Sequence, residues 1–199
     1  MALAAALVGW SFVSPRVPMS WRVPLQAGAA GLLVLVTRAP LGLRPPRLGA
    51  GLRLGSAVGL AASSAVAATA SVPRARRAMS ARELPTSVAA WLIWRIPVGT
   101  VWAEEAAFRA ALATVANGAF GQSRGRMLQA AAFGLSHVAD ARATGESSAT
   151  TVLATAIAGR LFGWLAERSG SLAAPMLVHL AINEAAAVVA LTIQRRSRA

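Results

Sequence analysis

Apolar stretches alternate with short polar or proline-containing segments along the whole chain. The first stretch, Met1–Val13, lacks the basic start and the cleavage site of a removed signal peptide, and we interpret it as a short transmembrane helix. Six further stretches each predict a helix within a bilayer. They are Val23–Thr37, Leu48–Val72, Pro85–Asn117, Arg126–Val138, Thr150–Ala166 and Leu172–Ile193. The pattern therefore predicts an all-α, polytopic transmembrane helix bundle of about seven spans.

The fourth stretch, Pro85–Asn117, is longer than the ~20 residues that one straight span needs. Pro97 and Gly99 in its middle predict a kinked helix, or an interfacial helix that leads into a spanning one. The polar segments 73–82, 118–125 and 140–149 are predicted to be loops.

Composition supports the membrane interpretation. The chain of 199 residues is 56% hydrophobic and 14% charged, with a mean hydropathy of +0.55, whereas soluble domains carry ~25% charged residues. This length fits one integrated membrane domain, with N-terminal spans in 1–82 and a core in 83–199. The chain has no cysteine, which excludes disulfides and thiolate chemistry.

The net charge of +13 comes from arginine, since lysine is absent. The arginines cluster between apolar stretches, as in Arg74–Arg77 and Arg195–Arg198, which is typical of helix ends that face anionic lipid headgroups. No basic segment is interleaved with aromatic residues, so we expect a lipid bilayer and no nucleic acid as a partner.

The arginines also predict an orientation. With seven spans, ten arginines fall on the side of the C-terminus and seven on the other side, so the positive-inside rule predicts a cytoplasmic C-terminus. The two sets are Arg16, Arg22, Arg74, Arg76, Arg77, Arg82, Arg142, Arg195, Arg196 and Arg198, against Arg38, Arg44, Arg47, Arg53, Arg124, Arg126 and Arg168.

Three ionisable residues, Glu104, Glu105 and Arg109, lie close together in the fourth apolar stretch. Glu105 and Arg109 are four residues apart, so they share one helix face with the glutamate in the favourable N-terminal position. Glu104 points about 100° away. Each such group at bilayer depth costs about 2.5–3.5 kcal/mol on insertion scales. Arg109 can therefore neutralise Glu105 and leave Glu104 free for chemistry, although a buried ion pair that only fixes helix packing is the alternative.

The only two histidines lie in two later apolar stretches. Phe133 precedes His137 by four residues, and His179 precedes Asn183 by four residues. A single polar residue in an apolar helix is usually an interhelical hydrogen bond, worth ~0.6 kcal/mol. The recurrence of such residues on three predicted helices favours a functional site inside the bundle.

The residues present limit the chemistry. Cysteine and lysine are absent, and Asp140 is the only aspartate, which excludes cysteine nucleophiles, Ser–Lys dyads and aspartyl dyads. The zinc-binding pattern His-Glu-x-x-His is absent as well. Water activated by a carboxylate and a histidine, with or without a metal, remains.

The motifs Glu104-Glu-x-x-x-Arg109, Phe133-x-x-x-His137 and His179-x-x-x-Asn183 resemble, in order and spacing, the three motifs of the CPBP family. Its members are intramembrane endopeptidases similar to type II CAAX prenyl proteases, together with bacteriocin-immunity and abortive-infection proteins. The resemblance runs from about Pro97 to the C-terminus. Ala110 departs from the family pattern, which usually has glycine after the motif arginine.

The resemblance implies a role for each motif residue. Glu104 would activate the attacking water, and His137 would assist as a second base or as a metal ligand. His179 and Asn183 would bind the substrate carbonyl and stabilise the oxyanion. Glu105 and Arg109 would brace the motif, and Phe133 is assigned to packing.

Several alternatives stay open at this point. A divalent metal such as zinc, held by Glu104, His137 and His179, and metal-free water activation are equally compatible with the sequence. The function is either hydrolysis of a peptide or membrane-protein substrate, or a non-catalytic role in immunity or as a scaffold. We expect an integral protein of a bacterial plasma membrane.

Overall fold

The computed structural model describes residues 1–81 and 83–196, and all regular elements in these ranges are helical. This confirms the predicted all-α class. Two 3₁₀ turns (Ser14–Arg16 and Thr69–Ser71) and two π-helical segments (Trp91–Trp102 and Glu105–Leu112) accompany the α-helices. The α-helices are α1 (Ala2–Val13), α2 (Met19–Thr37), α3 (Arg47–Ala68), α4 (Pro73–Ala81), α5 (Val88–Ala90), α6 (Ala113–Leu135), α7 (Val138–Thr144), α8 (Ser148–Ser169) and α9 (Ala173–Arg196).

Four of the described helices are long and apolar enough to cross a membrane. They are Met19–Thr37, Arg47–Ser71, Ser148–Ser169 and Ala173–Arg196. The other predicted spans do not meet these criteria, because α1 has only 12 residues and the segment around Glu104 carries several charges. The count of seven spans therefore stays a prediction.

Residues 88–120 form one continuous helix, which we call the motif helix because it carries Glu104, Glu105 and Arg109. Much of it is wider than an α-helix, since the N–H of Ala103 bonds to Val98 O, five residues earlier. Pro97 lies inside this wide part and has no N–H to donate, which favours local departure from α-helical bonding.

The motif helix ends at Gly121, where the backbone adopts φ 75° and ψ 162° and divides α6 into two helices. That conformation suits glycine, which has no Cβ to clash. Residues 88–120 therefore run in one direction. They contain no reversal of the chain, which two membrane crossings would need.

Three predicted loops are wrong in part. Residues 73–81 form α4 (Arg82 lies outside the described residues), 118–125 is helical except near Gly121, and α7 occupies Val138–Thr144. The physical reason is that a short polar helix satisfies its own backbone hydrogen bonds and has the same composition as a polar loop. The fifth predicted span also ends at Leu135 rather than at Val138.

Glycines on one face of α3 allow α9 to pack closely against it. Gly51, Gly55 and Gly59 are spaced by four residues and are buried. A Cβ added at Gly55 would lie 2.9 Å from Ala174 Cα, on the backbone of α9. Small residues at this spacing bring helix backbones together and maximise dispersion contacts in lipid. This pair supports the N-terminal half of α9, where the third motif lies.

The motif helix lies at the centre of the bundle. Ala106 and Ala111 are fully buried, and Leu112 is 1% exposed. Trp102 donates from its indole N–H to the carbonyl of Ala27 on α2 at 3.2 Å, which ties the two helices together. The charged motif is therefore placed among packed helices.

The segment between α2 and α3 meets the α8–α9 turn at one end of the bundle. The N–H of Leu172 donates to Leu41 O at 2.8 Å. Gly42, at φ 61°, contacts the carbonyl of Gly170 so closely that a Cβ would clash. The C-terminus of α2 and the start of α9 therefore share one end.

Candidate active site

Glu105 and Arg109 form the predicted ion pair in the bundle interior. Arg109 Nε lies 3.3 Å from Glu105 Oε2, and both side chains are fully buried. Burying a charge without a partner costs several kcal/mol, so each of these groups requires the other. The two Nη atoms of Arg109 have no hydrogen-bond partner among the described residues.

His179 on α9 lies between the two glutamates of the motif helix. Its Nδ1 donates to Glu105 Oε1 at 2.7 Å, and its Nε2 lies 3.9 Å from Glu104 Oε2. The shorter contact orients the ring, because an ionised carboxylate can only accept. The longer distance exceeds a hydrogen bond, so a water that contacts both atoms would lie to one side of the line that joins them.

Glu104 is more exposed than Glu105 and has fewer polar contacts. Its side chain is 29% exposed, whereas that of Glu105 is fully buried. Glu104 Oε2 is itself buried and has no hydrogen-bond partner within residues 1–81 and 83–196. A partly accessible carboxylate with an unpartnered oxygen can accept a proton from a water molecule.

Aromatic rings enclose the charged cluster. The Phe133 ring lies 3.7 Å from Arg109 Cζ, a cation–π contact. The Phe162 ring stacks on His179, with ring centroids 5.1 Å apart and an interplanar angle of 30°. Phe108 meets Phe133 edge to face at 5.2 Å. These rings exclude water from one side of the cluster, which strengthens its electrostatic interactions.

His137 lies just after the end of α6 rather than within it. Its Nδ1 donates to the carbonyl of Phe133 at 2.8 Å, and its ring lies 4.7 Å from the Phe133 ring. That bond leaves Nε2 as the unbonded nitrogen of the neutral ring. Phe133 is thus the contact between His137 and the Arg109–His179 cluster, since its ring is also 6.4 Å from His179.

Asn183 is one turn beyond His179 on α9. Its Nδ2 donates to the carbonyl of His179 at 3.0 Å, so the amide is bonded to its own helix. Neither Asn183 nor His137 bonds to Glu104 in the described part of the chain. Convergence of all four predicted catalytic residues on one cavity stays a prediction, and so does an active site inside the bundle.

Glu104, His137 and His179 do not form a metal-ligand set in this structure. No group of three or more His, Asp or Glu side chains that could hold a metal ion occurs among the described residues. The Nδ1 of His137 and that of His179 are each bonded to a protein acceptor, which leaves Nε2 of each ring as the nitrogen that could bind a ligand.

Comparison with known families shows the family to which the chain belongs. Residues 86–185 match the family model described as type II CAAX prenyl endopeptidase Rce1-like. The chain belongs to this family. A search of curated proteins and a search of solved structures each gave no match. The Rce1-like match covers all three motifs, and it confirms the family that their order and spacing indicated.

Rce1-like membership supports a CAAX-type intramembrane protease at the family level. The four long apolar helices and this membership fit an integral membrane protein in a lipid bilayer.

Sequence reasoning missed two residues near the third motif. Phe162 packs on His179, but a phenylalanine in an apolar stretch carries no signal that separates it from its neighbours. Glu184 follows Asn183 on α9, and its Oε1 is buried without a hydrogen-bond partner in the ranges described. An acidic residue inside an apolar stretch could have been recognised from sequence.

Proposed function

We propose that this protein is an intramembrane endopeptidase in which Glu104 activates the attacking water. The observation that carries the proposal is the position of His179 between two carboxylates. Glu105 holds its Nδ1 at 2.7 Å, and the free Oε2 of Glu104 faces its Nε2 at 3.9 Å. A water that bonds to both Glu104 Oε2 and His179 Nε2 would be held by a base and by a ring nitrogen at once.

The proposed reaction needs only residues of this chain. Glu104 takes a proton from the water, and the oxygen attacks the carbonyl carbon of the scissile peptide bond. The oxyanion that forms is stabilised by N–H donors, for which we propose His179 Nε2–H in the doubly protonated ring and the amide of Asn183. Glu104 then gives its proton to the leaving amine as the C–N bond breaks.

The remaining motif residues are proposed to support this reaction. Glu105 and Arg109 hold His179 in one orientation, since Glu105 contacts both of them. His137 keeps Nε2 free while Phe133 O holds its Nδ1, so we propose that it acts as the second base. Asn183 must exchange its bond to His179 O for the substrate, which requires only a rotation of its side chain.

Product mass spectrometry of membranes tests the proposal. Membranes that contain the wild-type chain should yield peptides that membranes with Glu104→Gln do not, because the amide cannot take up a proton. Glu146→Gln is the matched control, since Glu146 is an exposed glutamate outside the motifs, and its product set should equal that of the wild type. An unchanged product set with Glu104→Gln would contradict the proposal.

A further inference from the structure

A polar cavity lies at the end of the bundle where the α2–α3 segment meets the α8–α9 turn. Its volume is about 240 Å³, and Pro40, Gly170 and Leu172 form part of its wall. Three arginines from three different elements line it, although they are far apart in the chain. The polar and charged residues of the lining used below are Arg47, Arg109, Asn117, Arg126, Gln129 and Glu167.

Two deeply buried side chains in this lining carry N–H groups without a partner. Arg109 is 5% exposed and Gln129 is 2% exposed. Neither the Nη atoms of Arg109 nor Nε2 of Gln129 has a hydrogen-bond partner in the described ranges, and Asn117 Oδ1 in the same lining is an acceptor without one. An unsatisfied buried donor costs about 1–3 kcal/mol, more for a charged group, so these donors favour an acceptor in the cavity.

The charge of the lining is positive. Arg126 is balanced by Glu167, whose Oε2 lies 3.0 Å from its Nη1, and Arg109 is balanced by Glu105. Arg47 has no ion pair among residues 1–81 and 83–196, and its charge remains uncompensated. Guanidinium groups with free N–H donors match the oxygens of phosphate groups.

We propose that this cavity, the arginine cavity, binds a phosphate group. The group comes either from free phosphate or from a lipid headgroup, since the cavity lies at an end of the bundle. The oxygens of the phosphate would accept from the Nη groups of Arg109 and from Nε2 of Gln129 once these buried side chains turn toward the cavity, while Arg47 balances its charge. Arg109 also contacts Glu105, and Glu105 holds His179. A phosphate bound to Arg109 would therefore fix the position of the arginine that supports Glu105.

Thermal unfolding of the purified, detergent-solubilised protein tests the site without any assay of proteolysis. Sodium phosphate, titrated against sodium chloride of equal ionic strength, should raise the unfolding temperature in a saturable way. Arg47→Gln and Gln129→Leu should each weaken the apparent phosphate affinity at least about ten-fold, since one lost charge-assisted interaction is worth roughly 1.5 kcal/mol or more and about 1.4 kcal/mol is tenfold. Failure of the proposed protease mechanism would not change this result.

Arg124→Gln is the matched control, because Arg124 is exposed and lies near Arg126 outside the lining. It removes the same charge and should leave the phosphate response unchanged. Arg47→Lys keeps the charge and should retain part of the response. If one cavity variant does not fold, the other still gives the comparison.

A second set of measurements distinguishes free phosphate from a lipid headgroup as the source of the bound group. Phosphatidylglycerol and phosphatidylcholine are added in turn to the same samples. Stabilisation by phosphatidylglycerol but not by inorganic phosphate, with loss in Arg47→Gln, identifies a lipid headgroup. Stabilisation by inorganic phosphate identifies free phosphate as sufficient. An equal response of all variants, or no response to either source, would overturn the proposal and leave a cavity that holds water only.

Discussion

Glu105 and His179 lie 74 positions apart in the chain, and a 2.7 Å hydrogen bond joins their side chains. The same carboxylate faces Arg109 at 3.3 Å. One buried glutamate therefore connects the first motif to the third, and its neighbour Glu104 is left with an unpartnered oxygen in the described structure.

The two glutamates should differ in their effect on stability. Glu105→Gln removes the charge that balances buried Arg109, and we expect a loss of about 3–5 kcal/mol in the free energy of unfolding. Glu104→Gln should change this free energy by less than about 1 kcal/mol, because Glu104 is partly exposed and its contact with His179 Nε2 is beyond hydrogen-bond distance at 3.9 Å. Denaturant unfolding in detergent measures both. Equal losses in the two variants would contradict the division of roles.

Phe133→Leu should destabilise the protein by about 1–3 kcal/mol. The substitution removes a ring that covers the guanidinium of Arg109 at 3.7 Å and packs on Phe108. Phe120→Leu is the matched control, since Phe120 is 41% exposed, and it should have little effect. The comparison is made by thermal unfolding, and an equal shift in both variants would count against a packing role for Phe133.

Asn183→Ala should lower kcat by about 10²–10³ if the amide stabilises the oxyanion, with little change in the unfolding temperature. Thr192→Val is the control on the same helix, because its hydroxyl also bonds to a carbonyl four residues earlier. That variant should keep full activity. Wild-type kcat in Asn183→Ala would remove Asn183 from the mechanism.

Gly55→Ala should destabilise the α3–α9 pair by about 1–3 kcal/mol, since its Cβ would lie 2.9 Å from the Ala174 backbone. Gly28→Ala is the matched control, because nothing lies within 4 Å of a Cβ built there. It should be neutral or slightly stabilising. Thermal unfolding distinguishes the two, and a harmless Gly55→Ala would disprove close packing at this point.

The C-terminus is predicted to be cytoplasmic, from the ten arginines against seven. Two of the ten, Arg82 and Arg198, lie outside the described residues. A C-terminal fusion to alkaline phosphatase should be inactive, because this reporter requires export, while a fusion to a fluorescent protein should be bright. Strong phosphatase activity would reverse the orientation.

Sequence alone predicted the helical class and the positions of the motif residues. Local sequence shows directly which apolar stretches are long enough for a helix. It also shows which charged residues lie inside them at a cost in lipid. The contact between Glu105 and Arg109 was predictable for the same reason, since both lie on one helix. The wrong loops, such as 140–149, arose because a short polar helix and a loop have similar composition.

Only the tertiary structure decided which distant groups meet. Nothing in the sequence assigns His179 to Glu105 rather than to Glu104, because both glutamates have the same chemistry and adjacent positions. The arginine cavity depends on the same kind of information, since Arg47, Arg109 and Arg126 come together only through helix packing. Local patterns fix each helix and its faces, whereas side-chain partners across helices depend on the relative depth and rotation that close packing selects.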